Sequence, residues 1–116
     1  MAQTGDVKFG NFFKGFSPEM VGRGGSDLED LKSEFSDIPF DRGIVGMARA
    51  QSPNSANSQF FIMLADGHFL NGNYTVFGKV ISGMNVVDNI KKGDPDKNGM
   101  IEKDPDFMSK VIIKNK

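Results

Sequence analysis

The sequence predicts a mainly β fold carrying one short helix. Three observations point to it. The 116 residues include 14 glycines, well above the usual ~7%; several short runs are β-branched or aromatic; and one segment has helical spacing. Frequent Gly, Asn and Asp make turns dense, so the strands between them are short.

Taken in order, Met1 to Thr4 is a first strand that ends at Gly5-Asp6. Lys8 to Ser26, rich in Gly, Phe and Ser, is a long excursion loop, and such loops in compact domains are usually functional or mobile. Gly43 to Ala48 (GIVGMA) and Gln59 to Leu64 (QFFIML) are apolar strands joined by the polar stretch Arg49 to Ser58. Tyr74 to Ser82 (YTVFGKVIS) is a further strand, and the Asn71-Gly72-Asn73 turn before it predicts a hairpin with the preceding one. Met84 to Lys92 places Val86, Val87 and Ile90 on one helical face, and Gly93 supplies the stop. After the loop from Asp94 to Phe107, Ser109 to Lys114 (SKVIIK) reads as a closing strand.

A chain of this length is one domain's worth, long enough for a core and too short for two. No apolar run approaches the ~20 residues of a membrane span, and no charged segment followed by an apolar one opens the chain as a signal peptide would. A formal net charge of −1 offers no basic field for phosphate backbones, so nucleic acid is not expected as a partner. With no Cys, thiol nucleophiles, disulfides and thiolate metal sites are excluded, and a reducing, cytoplasmic location fits. His68 is the one histidine and lacks companions for a zinc site, so neither a metal nor a cofactor is expected.

Three motifs weaken on inspection. Asp94 to Gly99 (DPDKNG) imitates the start of a calcium loop, but Pro105 stands at the twelfth position where a bidentate Glu belongs, so a surface turn is the better reading. Gly22 to Ser26 (GRGGS) lacks the spacing of a phosphate cradle and reads as a flexible turn. Asn73-Tyr74-Thr75 matches a glycosylation acceptor, which matters only for a secreted chain.

The strand from Gln59 is more informative. Its alternation puts Gln59, Phe61 and Met63 on one face and Phe60, Ile62 and Leu64 on the other. One face packs the core, and the other presents an amide beside an aromatic ring. In the first strand Met1 and Gln3 repeat that pairing, so the two strands together would form a shallow apolar hollow with polar tips.

The run MARAQSPNSANSQFFIML followed by HFLNGNYTVFGKVISGM, with MAQTGDV and GRGGS before it in the same order, resembles the cyclophilin family of peptidyl-prolyl cis-trans isomerases in its bacterial form. The resemblance covers essentially the whole chain. It implies an eight-stranded antiparallel barrel with two helices and a groove for X-Pro peptides of unfolded protein clients, and for cyclosporin-like ligands. By motif, Met1, Phe61 and Leu70 resemble the walls of the proline-ring pocket, and Gln3 and Gln59 resemble supporting amides beside it. Ala48, Arg49 and Ala50 resemble the stretch that meets the peptide backbone. Phe69 stands where many relatives carry Trp, Tyr74 where they often carry His, and Gly24 and Gly25 fall at a neighbouring subsite.

In the family pattern, MAQTGD follows a segment ending in FHRVI-x-GF, whose Arg hydrogen-bonds the twisted prolyl amide. The chain begins inside that pattern, so the resemblance implies an N-terminally truncated, incomplete cyclophilin-like barrel without that Arg, with cyclosporin-like binding weakened. Losing one such donor typically costs ~2.7 to 4 kcal/mol in rate, which leaves a weak catalyst. Losing several strands removes apolar side chains at ~1.5 to 3 kcal/mol each and is the larger threat. In the family the last strand pairs with the absent first one, so self-association through exposed strand edges is expected. The spacing of Arg23, Arg42 and Arg49 gives no reason to seat a replacement guanidinium over the pocket. The expectation is a prolyl isomerase of reduced activity, with a non-catalytic proline-peptide binding module as the alternative.

Overall fold

Alternating apolar residues in three central segments pair into a four-stranded antiparallel sheet. A computed structural model describes residues 1–101 and 103–115. Strand β1 is Ala2–Thr4, β2 is Ile44–Met47, β3 is Phe60–Ile62 and β4 is Val76–Lys79. Their order in the sheet is β1-β3-β2-β4, and the sheet is not closed among the described residues. The mainly β reading therefore holds, in an open sheet consistent with an incomplete barrel.

Register explains how the core forms. Gln3 lies opposite Phe61 between β1 and β3, Phe61 opposite Gly46 between β3 and β2, and Gly46 opposite Val76 between β2 and β4. Side chains on such a row share one face. That face carries the core, where Phe40, Phe61, Met63 and Leu70 are buried and Ile44, Ala48, Tyr74 and Val76 pack against them. Gly46 is the enabling residue: a Cβ there would sit 2.6 Å from Phe61 Cζ and 2.7 Å from Phe40 Cε1. Without it the two rings, with centroids 5.6 Å apart, could not meet over the strand. The loop bearing Phe40 is pinned by its amide donating to Asn71 Oδ1 at 2.8 Å and by Gly67 N–H donating to its carbonyl.

The opposite face is far less covered. Phe60 packs edge-on to Phe77, but Phe77 remains exposed.

Several sequence expectations change. The strand from Gln59 and the strand from Tyr74 do not form a hairpin, because β2 lies between them and pairs with both. The short 3-10 turn His68–Leu70 buries Leu70 in the core and separates β3 from β4, which the Asn71-Gly72-Asn73 signal alone does not convey. The face carrying the amide Gln59 also buries Phe61 and Met63, so core packing and amide display belong to one face and not to two.

Helix α1 is Met84–Asp88, shorter than predicted. Of the expected stripe, Val87 and Ile90 are half-buried and Val86 is exposed, with Met84 half-buried in its place. Arg42 ties this helix to the sheet through a two-pronged contact with Asp88, at 2.6 and 2.7 Å.

Ser109 to Lys114 forms no strand, and Val111, Ile112 and Ile113 are exposed. A β-branched run needs a partner edge to become a strand, and none pairs with it among the described residues. The loop from Asp94 contains the 3-10 turn Pro95–Lys97, capped by Asp94 accepting from the Asp96 amide. Asp94 thereby serves a local turn. Position 102 of this loop lies outside the described residues.

Candidate functional site

The excursion loop returns to the sheet beside β1 and β3 because one side chain gathers it. Asp6 is 6% exposed, and its carboxylate accepts four backbone N–H groups. Oδ1 takes those of Lys8 (3.0 Å) and Phe9 (2.9 Å); Oδ2 takes those of Gly22 (2.8 Å) and Gly24 (2.9 Å). Burial pushes its pKa up, but the four amides outweigh burial and hold it below the ordinary carboxylate value. A second clamp lies further along the loop, where Asn57 Oδ1 accepts from both Ser26 N–H and Ser26 Oγ at 2.7 Å. The Gly22 to Ser26 segment is thus tied on both sides, to Asp6 and to Asn57.

Between this segment and Ala48 to Ala50 lies a cavity of about 430 Å³. Gln3 and Gln59 border it. Gln59 Nε2 donates to the carbonyls of Gly22 (3.0 Å) and Gly24 (2.8 Å), and Gln3 Nε2 donates to Gln59 Oε1 at 3.0 Å. Since both glycine partners are acceptors, the orientation of the Gln59 amide follows from chemistry: its NH₂ faces the loop and its oxygen faces Gln3.

Seven of the sequence-predicted residues border this one cavity: Gln3, Gly24, Gly25, Ala48, Arg49, Ala50 and Gln59. The apolar candidates lie elsewhere. Phe61 and Leu70 are buried in the core, 2% and 6% exposed, while Met1 and Phe69 are exposed and border no part of the cavity. None of Met1, Phe61 and Leu70 borders this cavity. Packing against Phe40 and Tyr74 draws Phe61 inward.

Tyr74 joins the two regions. Its ring meets Phe61 edge-on at 5.9 Å, and the Arg49 guanidinium lies 4.5 Å from its centroid. The same guanidinium donates to the carbonyls of Asn73, Ala50 and Gln51, fixing the cavity rim to the segment before β4. Arg23 borders the cavity as well, so two of the three arginines stand beside it although their spacing had given no reason to expect this. Arg42 is engaged with Asp88, away from it.

Sequence reading missed Asp6, Asn57 and Ser55. Ser55 Oγ accepts from Ala50 N–H at 2.9 Å and donates to Ser52 O, shaping the rim. The available signal was chemical: Asp, Asn and Ser in glycine-rich or pre-strand positions are the residues that bond neighbouring backbone. Elsewhere, Asp41, Asp66 and His68 form an exposed group in which His68 Nε2 lies 2.7 Å from Asp41 Oδ1. That imidazole is already engaged, and the hydrogen bond to Asp41 raises its pKa.

Residues 1–115 match the family model described as cyclophilin type peptidyl-prolyl cis-trans isomerase. A "probable peptidyl-prolyl cis-trans isomerase" of Brucella abortus is 65% identical over 113 residues, covering 97% of this chain and 57% of the relative. Peptidyl-prolyl cis-trans isomerase B of Escherichia coli is 39% identical over 95 residues, 74% of this chain and 57% of the relative. Among solved structures, a cyclophilin type isomerase of Cryptosporidium parvum superposes with a TM-score of 0.63 at 31% identity, covering 89% of this chain and 60% of that one. A structure of that protein in the presence of the dipeptide Ala-Pro gives a TM-score of 0.60 at 33% identity, covering 77% and 59% of the two chains. The chain spans a little over half the length of these curated relatives.

Proposed function

The chain belongs to the cyclophilin-type peptidyl-prolyl cis-trans isomerase family, and from that premise we propose that its cavity receives X-Pro segments of unfolded chains and speeds rotation about the prolyl bond. The observation that carries this reading is the hydrogen-bonded pair Gln3 and Gln59 at the margin of a cavity also bordered by Ala48 to Ala50. An extended peptide needs polar partners for its backbone, and Gln3, Gln59 and Arg49 stand at the cavity margin.

The reaction asks little of side-chain chemistry. Rotation about an X-Pro bond crosses a barrier of ~18 to 20 kcal/mol and takes tens to hundreds of seconds unaided. No bond is broken, so a nucleophile, an acid or a metal has no necessary part. A site that binds the twisted amide more tightly than either planar form is sufficient. Aromatic Phe69 and Tyr74 are taken to tune which residues flank the proline, Tyr74 through its hold on Arg49.

The alternative is a module that binds proline peptides without accelerating them. One observation favours it: Arg49 donates its N–H groups to three backbone carbonyls, so this guanidinium is already occupied within the chain. Self-association through the outer edges of β1 and β4 belongs to the same proposal, supported by exposed Phe77 on β4. So does a cytoplasmic location, supported by the lack of Cys; among the described residues no helix is long and apolar enough to cross a membrane.

NMR exchange spectroscopy on an Ala-Pro peptide separates the two readings. Faster cis-trans exchange in the presence of the chain supports the isomerase. Peptide-induced shifts at Gln3, Gln59 and Arg49 without faster exchange support the binding module. Neither shifts nor acceleration would overturn both.

A further inference from the structure

We propose that Asp6, a residue outside the cavity lining, is a positioning residue for the amide pair that faces the peptide; the peptide itself rests on the reading above. The inference begins with valence. All four partners of the Asp6 carboxylate are N–H donors, from Lys8, Phe9, Gly22 and Gly24. Only a group that accepts at both oxygens satisfies them.

Two of those donors belong to the residues whose carbonyls hold Gln59. Asp6 Oδ2 takes the N–H groups of Gly22 and Gly24, and the carbonyls of the same two glycines accept from Gln59 Nε2. Gln59 in turn offers its oxygen to Gln3. The sequence of contacts runs from a buried carboxylate, through two glycine residues, to two amides at the cavity. Its polarity is set at the buried end, because an acceptor at Asp6 fixes the loop with Gly22 and Gly24 carbonyls toward Gln59. The Gln3 oxygen is then the remaining acceptor of the amide pair and the natural partner for a peptide N–H.

Gly24 shows how closely the loop is drawn in. A Cβ at that position would lie 2.5 Å from Asp6 Oδ1 and 2.8 Å from Lys8 Cβ. Any side chain there would push the loop off the carboxylate, so the glycine and the Asp form one unit.

Asp6→Asn tests the proposal with almost no change in volume. The amide keeps one acceptor oxygen, but its NH₂ must then face two N–H donors, which cannot pair with it. The expected result is a displaced Gln59 side-chain amide signal in NMR and faster exchange of its protons. A general loss of stability would lower the folded fraction without moving native-state signals. Ala-Pro peptide affinity should fall roughly fivefold in Asp6→Asn, and this loss should largely vanish when Gln59→Ala is already present. Should Asp6→Asn not fold, Gly24→Ala disturbs the same contact from the loop side and should displace the same Gln59 signal. Unmoved Gln59 signals, or losses that add fully in the double variant, would overturn the proposal. If the unaltered chain binds no Ala-Pro peptide, the peptide-binding reading fails by itself, and the Gln59 signals alone then decide the role of Asp6.

Discussion

The amide of Gln3 donates to the amide of Gln59 at 3.0 Å, joining side chains that are 56 positions apart in the chain. The pair exists because Gln3 sits opposite Phe61 on adjacent strands, which brings the start of β3 alongside β1. Gln59→Ala removes this bond together with those to Gly22 and Gly24. The expected loss is about 1.5 to 4.5 kcal/mol in stability by urea denaturation, three net hydrogen bonds at about 0.5 to 1.5 kcal/mol each. Affinity for an Ala-Pro peptide should fall about tenfold, equivalent to ~1.4 kcal/mol. Calorimetric titration checks the second figure.

Gly46→Ala should destabilise the sheet by about 1 to 3 kcal/mol, the range for overpacking a filled core. The added methyl would stand 2.6 Å from Phe61 and 2.7 Å from Phe40, two of the most buried rings in the molecule. Thermal unfolding followed by circular dichroism measures it. An unchanged midpoint would mean that the rings have room to retreat.

Arg49→Lys should loosen the cavity rim although the charge is retained. An ammonium cannot reach the carbonyls of Asn73, Ala50 and Gln51 at once, as the planar guanidinium does, and it stacks less well on Tyr74. The expected outcome is faster amide hydrogen exchange in residues 49–51 and 73–75, with the β2 and β3 core unaffected.

Acid should act through Asp6. Its folded pKa lies below the unfolded value of 3.8, so its contribution to stability is fully present above pH 3.8 and fades as pH falls through the lower folded value. Asp6→Asn should therefore reduce the pH dependence of the unfolding free energy below about pH 4. An identical acid limb in both proteins would contradict this.

His68 should act in the opposite direction. Its hydrogen bond to Asp41 raises the imidazole pKa above 6.5, with a further contribution from the Asp66 charge. The stabilisation is complete below pH 6.5 and is lost as pH rises through the folded pKa. His68→Gln should remove that alkaline decline, measured as the unfolding midpoint between about pH 6 and 9. The effect will be small, because the pair is exposed.

Much of the strand content was legible in local pattern. QFFIML and GIVGMA contain β3 and β2, YTVFGKVIS contains β4, and the amide positions follow from period two. The helix was legible as an element, though not in its length or buried stripe, because α1 rests on Arg42 and Asp88 and only partly on its apolar residues. SKVIIK misled for the complementary reason: its local preference is for a strand, yet strand formation requires an edge with which to pair.

The sequence by itself determined the segments that became β1 to β4, the residue types that surround the cavity and, through the SQFFI and VFGKV stretches, the family. Tertiary structure decided that Phe61 and Leu70 belong to the core, that β2 separates β3 from β4, and that Asp6 holds the loop bearing Gly22 and Gly24. The physical reason is range. Alternation and turn chemistry act over a few neighbouring residues, whereas a buried carboxylate, a missing Cβ under two rings and a pair of amides acquire their roles from groups distant in the chain that only packing brings within contact.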